Sequence, residues 1–324
     1  MNKKLIFIIL CLVLSVIISI SAISAGQTPE NITSTAADDQ SDILQNEDNN
    51  VLKNGEIKTF RDLDSKINDP NVHDGDTVDL GANYTFNETL DGAFINGISF
   101  TKSITIDGHG FTINANNQAR IFGVGSDAGG HTAVFNVILK NINFENAKGS
   151  GTSDDYGCVE FWGNGKIINC NFTNSRAFSA AALAVGEAND FEIIACRFTN
   201  NTAYGQFGGA VRLKSSQNAV KIRNSWFENN RADDYGGAIY SAGENSNCLI
   251  DNCDFISNHA GLGGGAVYLK GYGGEVSAST FTSNNASSGG AIFTSNSTSV
   301  TITSSEFSHN FADYGGALYF FNTT

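Results

Sequence analysis

From Phe144 to the end of the chain one frame recurs, and it restricts the fold more than any other feature. Its phenylalanines are Phe144, Phe172, Phe198, Phe227, Phe255, Phe281 and Phe307, spaced 26 to 29 residues apart. Three residues after the last five stand Asn201, Asn230, Asn258, Asn284 and Asn310. Two residues further on come Ala203, Ala232, Ala260, Ala286 and Ala312. Each of these copies then reaches Gly-Gly-Ala, with the glycine pairs Gly208 and Gly209, Gly236 and Gly237, Gly264 and Gly265, Gly289 and Gly290, and Gly315 and Gly316. Earlier copies are degenerate, with "SAAALAV" and "YGCVEF" where "GGAIY" is expected.

The frame also runs upstream of each phenylalanine. Five residues before it stand Leu139, Ile167, Ile193, Ile222, Ile250, Val276 and Ile302. Two before it stand Ile142, Cys170, Cys196, Ser225, Cys253, Ser279 and Ser305. Three before it is often Asn: Asn141, Asn169, Asn224 and Asn252. Apolar residues alternate within each short run, which is a strand period. A unit of three short strands and polar bends cannot bury one face alone, but it can when stacked on copies of itself. The economical fold is a parallel β-helix whose identical slots form ladders along the axis. Phe then fills the interior. Asn bends the chain and hydrogen-bonds its own backbone or the Asn of the next coil. The glycines supply positive φ or close backbone approach.

The chain has 324 residues, 35 Gly, 23 Phe, 2 Pro and a formal net charge of −14. That charge, with no basic stripe, argues against nucleic-acid partners. Residues 1–25 combine Lys3 and Lys4, an apolar run from Leu5 to Ile20 and a small-residue exit, the pattern of a secretory signal. Membrane association is expected only through this segment, if it stays uncleaved. Residues 26–50 are polar and acidic and read as a disordered linker. Residues 51–78 are expected to form an amino-terminal cap. In it "TFRDLDSKI" predicts a short helix, capped by Thr59 with Asp62 three later, burying Phe60, Leu63 and Ile67. Residues 79–324 are expected to form the β-helix. Five cysteines follow the signal, an odd number. Cys170, Cys196 and Cys253 share the slot that Ser fills elsewhere, so they read as buried small residues. A bridge between Cys170 and Cys196 on adjacent coils is the alternative.

Paired Phe-x-x-Asn and Gly-Gly-Ala-aliphatic motifs resemble the polymorphic outer-membrane protein repeats of chlamydial surface adhesins. Joined to "TFRDLDSKI", "SITIDGHGFTI" and "VILKNINF", they are similar to the adhesin-like surface proteins of methanogenic archaea, over about residues 55 to 324. The resemblance implies an all-β chain: a single right-handed parallel β-helix of the pectin lyase-like kind, exported and displayed on the cell surface. The membrane β-barrel of the chlamydial members and the wall-binding domains of many archaeal ones are not seen. The sequence stops at "GGALYFFNTT", inside a repeat. This predicts either a shortened member or a last coil that pairs with something else.

Candidate chemistry is sparse. Past the aliphatic of each Gly-Gly-Ala strand stand Glu160, Ala184, Arg212, Tyr240, Tyr268, Phe293 and Tyr319. With Val211 and Leu213 inward, these point outward. Tyr240, Tyr268, Phe293 and Tyr319 thus form a candidate exposed aromatic stripe, for a surface glycan or a protein. Stacking that only stabilises the sheet is the alternative. "IDGHG" contains the Gly-His-Gly found in β-helical polygalacturonases, but Asp233 and Asp234 lie about four coils from His109, which reads as a turn residue. Acidic bends at Asp154–Asp155, Asp233–Asp234 and Asp313 lie too far apart to share an ion and read as solvated turns. Eight Asn-x-Ser/Thr acceptors are present. No cofactor or metal site is expected. The expected function is a secreted or surface-attached, non-catalytic adhesin-like β-helix. The alternatives are a polysaccharide lyase or hydrolase, or a shortened structural module.

Overall fold

The computed structural model describes residues 57–125, 135–149, 151, 156–186, 188, 190–214 and 220–323, the side chains of 244–246 and 272 excepted. The expected signal, the acidic linker, residues 51–56 and Asp154–Asp155 lie outside the described residues. The remainder belongs to one unit, Lys53–Thr324. No helix among the described residues is long and apolar enough to cross a membrane.

The chain winds as a right-handed parallel β-helix. Every strand pairing is parallel and joins residues about one coil apart in sequence. Two faces merge into a 16-stranded sheet, because Ile239–Asp251 and Val267–Ser277 run unbroken around a corner. A third face has nine strands, from Tyr84–Thr85 to Glu306–Ser308. A four-stranded ribbon of Arg176–Ala177, Thr202–Ala203, Arg231–Ala232 and His259–Ala260 fills one bend.

The register is the one the repeat predicts. Val78, Ile106, Leu139, Ile167, Ile193, Ile222, Ile250, Val276 and Ile302 align rung by rung. The seven phenylalanines stack along the interior, with neighbouring ring centroids 4.7–4.9 Å apart and planes within 20°. That spacing equals the strand separation of roughly 4.8 Å, so each ring stays over the last without straining the backbone.

The asparagines form a buried ladder. Asn258 Nδ2 donates to Asn284 Oδ1 at 3.0 Å and to Phe227 O at 2.9 Å. Its Oδ1 accepts from both the backbone N–H and Nδ2 of Asn230, at 3.0 Å each. The same pattern links Asn201 to Asn230 and Asn284 to Asn310. The expected cross-coil bond is therefore present. The bend itself falls one residue earlier: Asn200, Asn229, Ser257, Ser283 and His309 take φ of 54–58°. A ladder Asn pointing inward must keep its side chain for the interior, so its neighbour supplies the left-handed turn.

The two glycines of each pair do different jobs. Gly236 has φ +67°. Gly237 has an ordinary φ, but an added Cβ would lie 2.0 Å from Gly265 O on the next rung.

At the amino-terminal end helix α1, Phe60–Ile67, carries the predicted capping box and buries Phe60, Leu63 and Ile67. Asp91, which the sequence reading passed over, is fully buried and accepts from the N–H groups of Phe60, Arg61 and Asn87. It ties the helix start to the first coil.

All five described cysteines are buried free thiols, so Cys170 and Cys196 do not pair. Cys196 Sγ donates to Ile194 O at 3.3 Å and Ile167 O at 3.5 Å, while Ser225 Oγ in the same slot donates to Arg223 O at 2.8 Å. Burial, partly offset by backbone hydrogen bonds, pushes the Cys196 thiol up to about 12. A thiol held protonated at neutral pH serves this slot as a larger serine.

Candidate functional site

Alternation along the strands of the Gly-Gly-Ala face sets two outward columns. In the first, Glu160, Ala184, Arg212, Tyr240, Tyr268, Phe293 and Tyr319 stand in unbroken register. The predicted column of rings is therefore real, but its exposure is corrected. Tyr268 is only 6% exposed, and Tyr240, Phe293 and Tyr319 are partly covered. The covering rings come from the turns before three of the five glycine pairs. Phe207 stacks on Tyr240 at 4.3 Å, Tyr235 lies tilted against Tyr268 at 4.7 Å, and Tyr314 lies 6.4 Å from Tyr319. The positive φ of Gly208, Gly236 and Gly315 folds the preceding residue back over the face. The sequence reading missed Phe207, Tyr235 and Tyr314, although each directly precedes Gly-Gly. The stripe is thus a two-layer aromatic slab, with Tyr268 inside it and the other rings presenting edges and part of a face.

The second column holds Trp162, Gly186, Lys214, Ala242, Lys270, Ser295 and Phe321. Where it meets the slab a groove of about 540 Å³ opens, bordered by Tyr240, Lys270, Asn296 and Thr298 and floored by Ala242, Gly243 and Gly271. Arg212 lies over the rings of Phe207, Tyr156 and Tyr240 at 5.2–5.9 Å, and its Nη1 donates to Ser179 Oγ at 3.0 Å. Lys214 Nζ lies 4.9 Å from the Tyr156 ring centre and 5.2 Å from that of Trp162. Burial, then the neighbouring Tyr268, pushes the Tyr240 hydroxyl up to about 12, so it stays a hydrogen-bond donor. A low, small-residue floor between aromatic and cationic walls suits a flat polar ligand.

A second cluster sits at the start of the neighbouring face. His109, in the expected turn with φ 47°, brings Nε2 within 2.8 Å of Asp79 Oδ1. Asp79 and Asp107 are in register on adjacent rungs. The sequence reading weighed His109 only against the distant Asp233 and Asp234 and missed these nearer acids, which pairing of Thr77–Asp79 with Thr105–Asp107 brings together. The ligand atoms of Asp79, Asp107 and His109 lie within 4.8 Å of one another, a spacing that suits a cation. Lys140 Nζ already stands 2.8 Å from Asp107 Oδ2, however, and supplies that carboxylate with a positive partner. Asp107 also accepts from Asn141 Nδ2 and from the His109 N–H. Burial opposes its charge, but these hydrogen bonds and the charge of Lys140 outweigh it and hold the carboxyl down at about 2, from an ordinary 3.8. A carboxylate so committed is a poor proton donor. Because the folded value is the lower one, its stabilising contribution is complete above pH 3.8 and is lost as pH falls through about 2. Acid titration monitored by circular dichroism should therefore show the stability gap between the unsubstituted chain and Asp107→Asn closing across that window. A gap unchanged across it would mean the carboxylate is not held in this way.

A family model described as the right-handed beta helix region matches residues 91–263 and, in an overlapping match, 209–324. Searches of curated proteins and of solved structures each gave no match.

Proposed function

The chain belongs to the right-handed β-helix family, and on that footing we propose that it is an exported, non-catalytic attachment protein of the adhesin-like kind, holding polysaccharide or cell-surface material on its Gly-Gly-Ala face. The observation that carries this reading is the aromatic slab with its adjoining groove, running along the solenoid axis beside a column of small residues and cations. An axial groove matches the shape of an extended chain ligand, and partly exposed rings offer sugars apolar faces to stack on. The amino-terminal secretory pattern supports an extracellular setting.

A second reading has one observation in its favour. Asp79 and His109 are hydrogen-bonded beside Asp107, and a pair of carboxylates is what glycoside hydrolysis commonly uses. The lock on Asp107 weighs against it.

Tyr240→Ala separates the two. It removes a partly exposed ring at the groove and should weaken retention on an immobilised glycan by about tenfold, the effect of losing one stacked aromatic. Tyr268→Ala, by contrast, should lower thermal stability, because Tyr268 is enclosed. Retention untouched by Tyr240→Ala but abolished by His109→Ala would move the site to the other face.

A further inference from the structure

The charge on the Gly-Gly-Ala face runs against that of the whole chain. Along the neighbouring faces cations meet acids: Lys166 and Lys221 lie beside Glu192, Arg197 beside Glu228, and Lys140 beside Asp107. On the Gly-Gly-Ala face, Glu160 is the acid of the two outward columns among the described residues. It is already engaged by Arg120 and by Trp162 Nε1. Arg212 and Lys214 lean on aromatic rings instead of carboxylates. Lys270 borders the groove and makes no ion pair among the described contacts. Among the described residues, three cations without a carboxylate partner therefore share one face of a chain whose formal net charge is −14.

Their spacing is regular. Lys214 and Lys270 occupy one column with Ala242 between them, so they stand two rungs apart. Two rungs is roughly 10 Å, twice the strand separation. Arg212 stands in the adjacent column, on the same rung as Lys214. Alanine at the intervening rung leaves the groove floor open at the point where a ligand would cross.

We infer that the ligand of this face is an anionic polysaccharide, carboxylated or sulfated, lying along the solenoid axis with its sugar rings against Tyr240 and its charges on Arg212, Lys214 and Lys270. This rests on the attachment reading and narrows it to one ligand class. The acidic remainder of the chain repels the same polymer, so the three cations select the binding face as well as the ligand. The contacts are charge-assisted and reach solvent, with Lys270 exposed and Arg212 and Lys214 half-buried, so retention must fall as salt rises.

The test uses the full chain on immobilised polygalacturonate and dextran sulfate, with neutral dextran and a β-glucan as counterparts, across a range of salt. Retention on at least one acidic polymer, weakened by salt, is expected, with little on the neutral ones. The two acidic polymers distinguish carboxylate from sulfate as the recognised group. Lys214→Ala with Lys270→Ala should weaken that retention by at least tenfold and flatten its salt dependence. Lys166→Ala with Lys221→Ala makes the same charge change on a neighbouring face and should leave retention as it was. Circular dichroism confirms that both double variants are folded. Retention on neutral glycans equal to that on acidic ones, or unaffected by the Lys214 and Lys270 changes, overturns the inference while leaving the attachment reading in place. No retention on any polymer overturns the inference and, with it, the polysaccharide form of the attachment reading.

Discussion

Asn258→Ala is expected to cost about 3 kcal/mol or more and to lower the melting temperature by many degrees. The side chain is fully buried and bonds to the rungs on both sides of its own. Its removal leaves the Asn230 N–H without its acceptor and leaves Phe227 O and Asn284 Oδ1 each short of a donor. Each buried polar group left unmatched costs about 1–3 kcal/mol. Asn258→Asp keeps the volume and should be worse at neutral pH. It places a carboxylate oxygen against Phe227 O and Asn284 Oδ1 where a donor stood. Urea denaturation of both variants checks this. A loss under 1 kcal/mol for both would mean that the ladder is not needed to hold the coils together.

Gly237→Ala should be comparably severe for a different reason. One methyl group would be forced to 2.0 Å from Gly265 O and 2.5 Å from His259 O. Both obstacles are backbone atoms of the next coil, so no side chain can swing aside. Overpacking of this kind costs about 3 kcal/mol when the neighbour cannot yield. In a solenoid stability is held between nearest neighbours, so the damage should sit at one interface. The coils before and after it should then melt separately. Gly236→Ala tests the other half of the pair. It has to hold a residue at φ +67° and also places its Cβ 2.3 Å from Ile239 O. If Gly237→Ala folds with unchanged stability, the coils are not packed as closely as described.

These effects explain why so much of the fold was legible. The Phe, Asn and Gly-Gly slots recur because each coil presents identical contacts to the next, so spacing alone gave register. Legibility failed where position within a slot mattered. The residue just before each ladder Asn, variously Asn, Ser or His, supplies the left-handed turn, and its changing identity hides a constant conformation.

The candidate site was half legible. Alternation placed Tyr240, Tyr268, Phe293 and Tyr319 in one outward column, as they are. It gave no sign that a turn folds Phe207 and Tyr235 onto them, because that depends on the path taken after Gly208 and Gly236. Asp79 and His109 escaped for a similar reason. They lie 30 residues apart, before the clear repeats begin, and only the pairing of the first rungs brings them together.

One measurement bears most directly on the account. The full chain is incubated with acidic and neutral polysaccharides, and retention and newly formed chain ends are read from the same wells. The account predicts retention on an acidic polymer, lost in the Lys214→Ala, Lys270→Ala variant, with no new ends in either. New reducing or unsaturated ends that disappear with His109→Ala would contradict it, and would make the Asp79–His109 cluster a catalytic site.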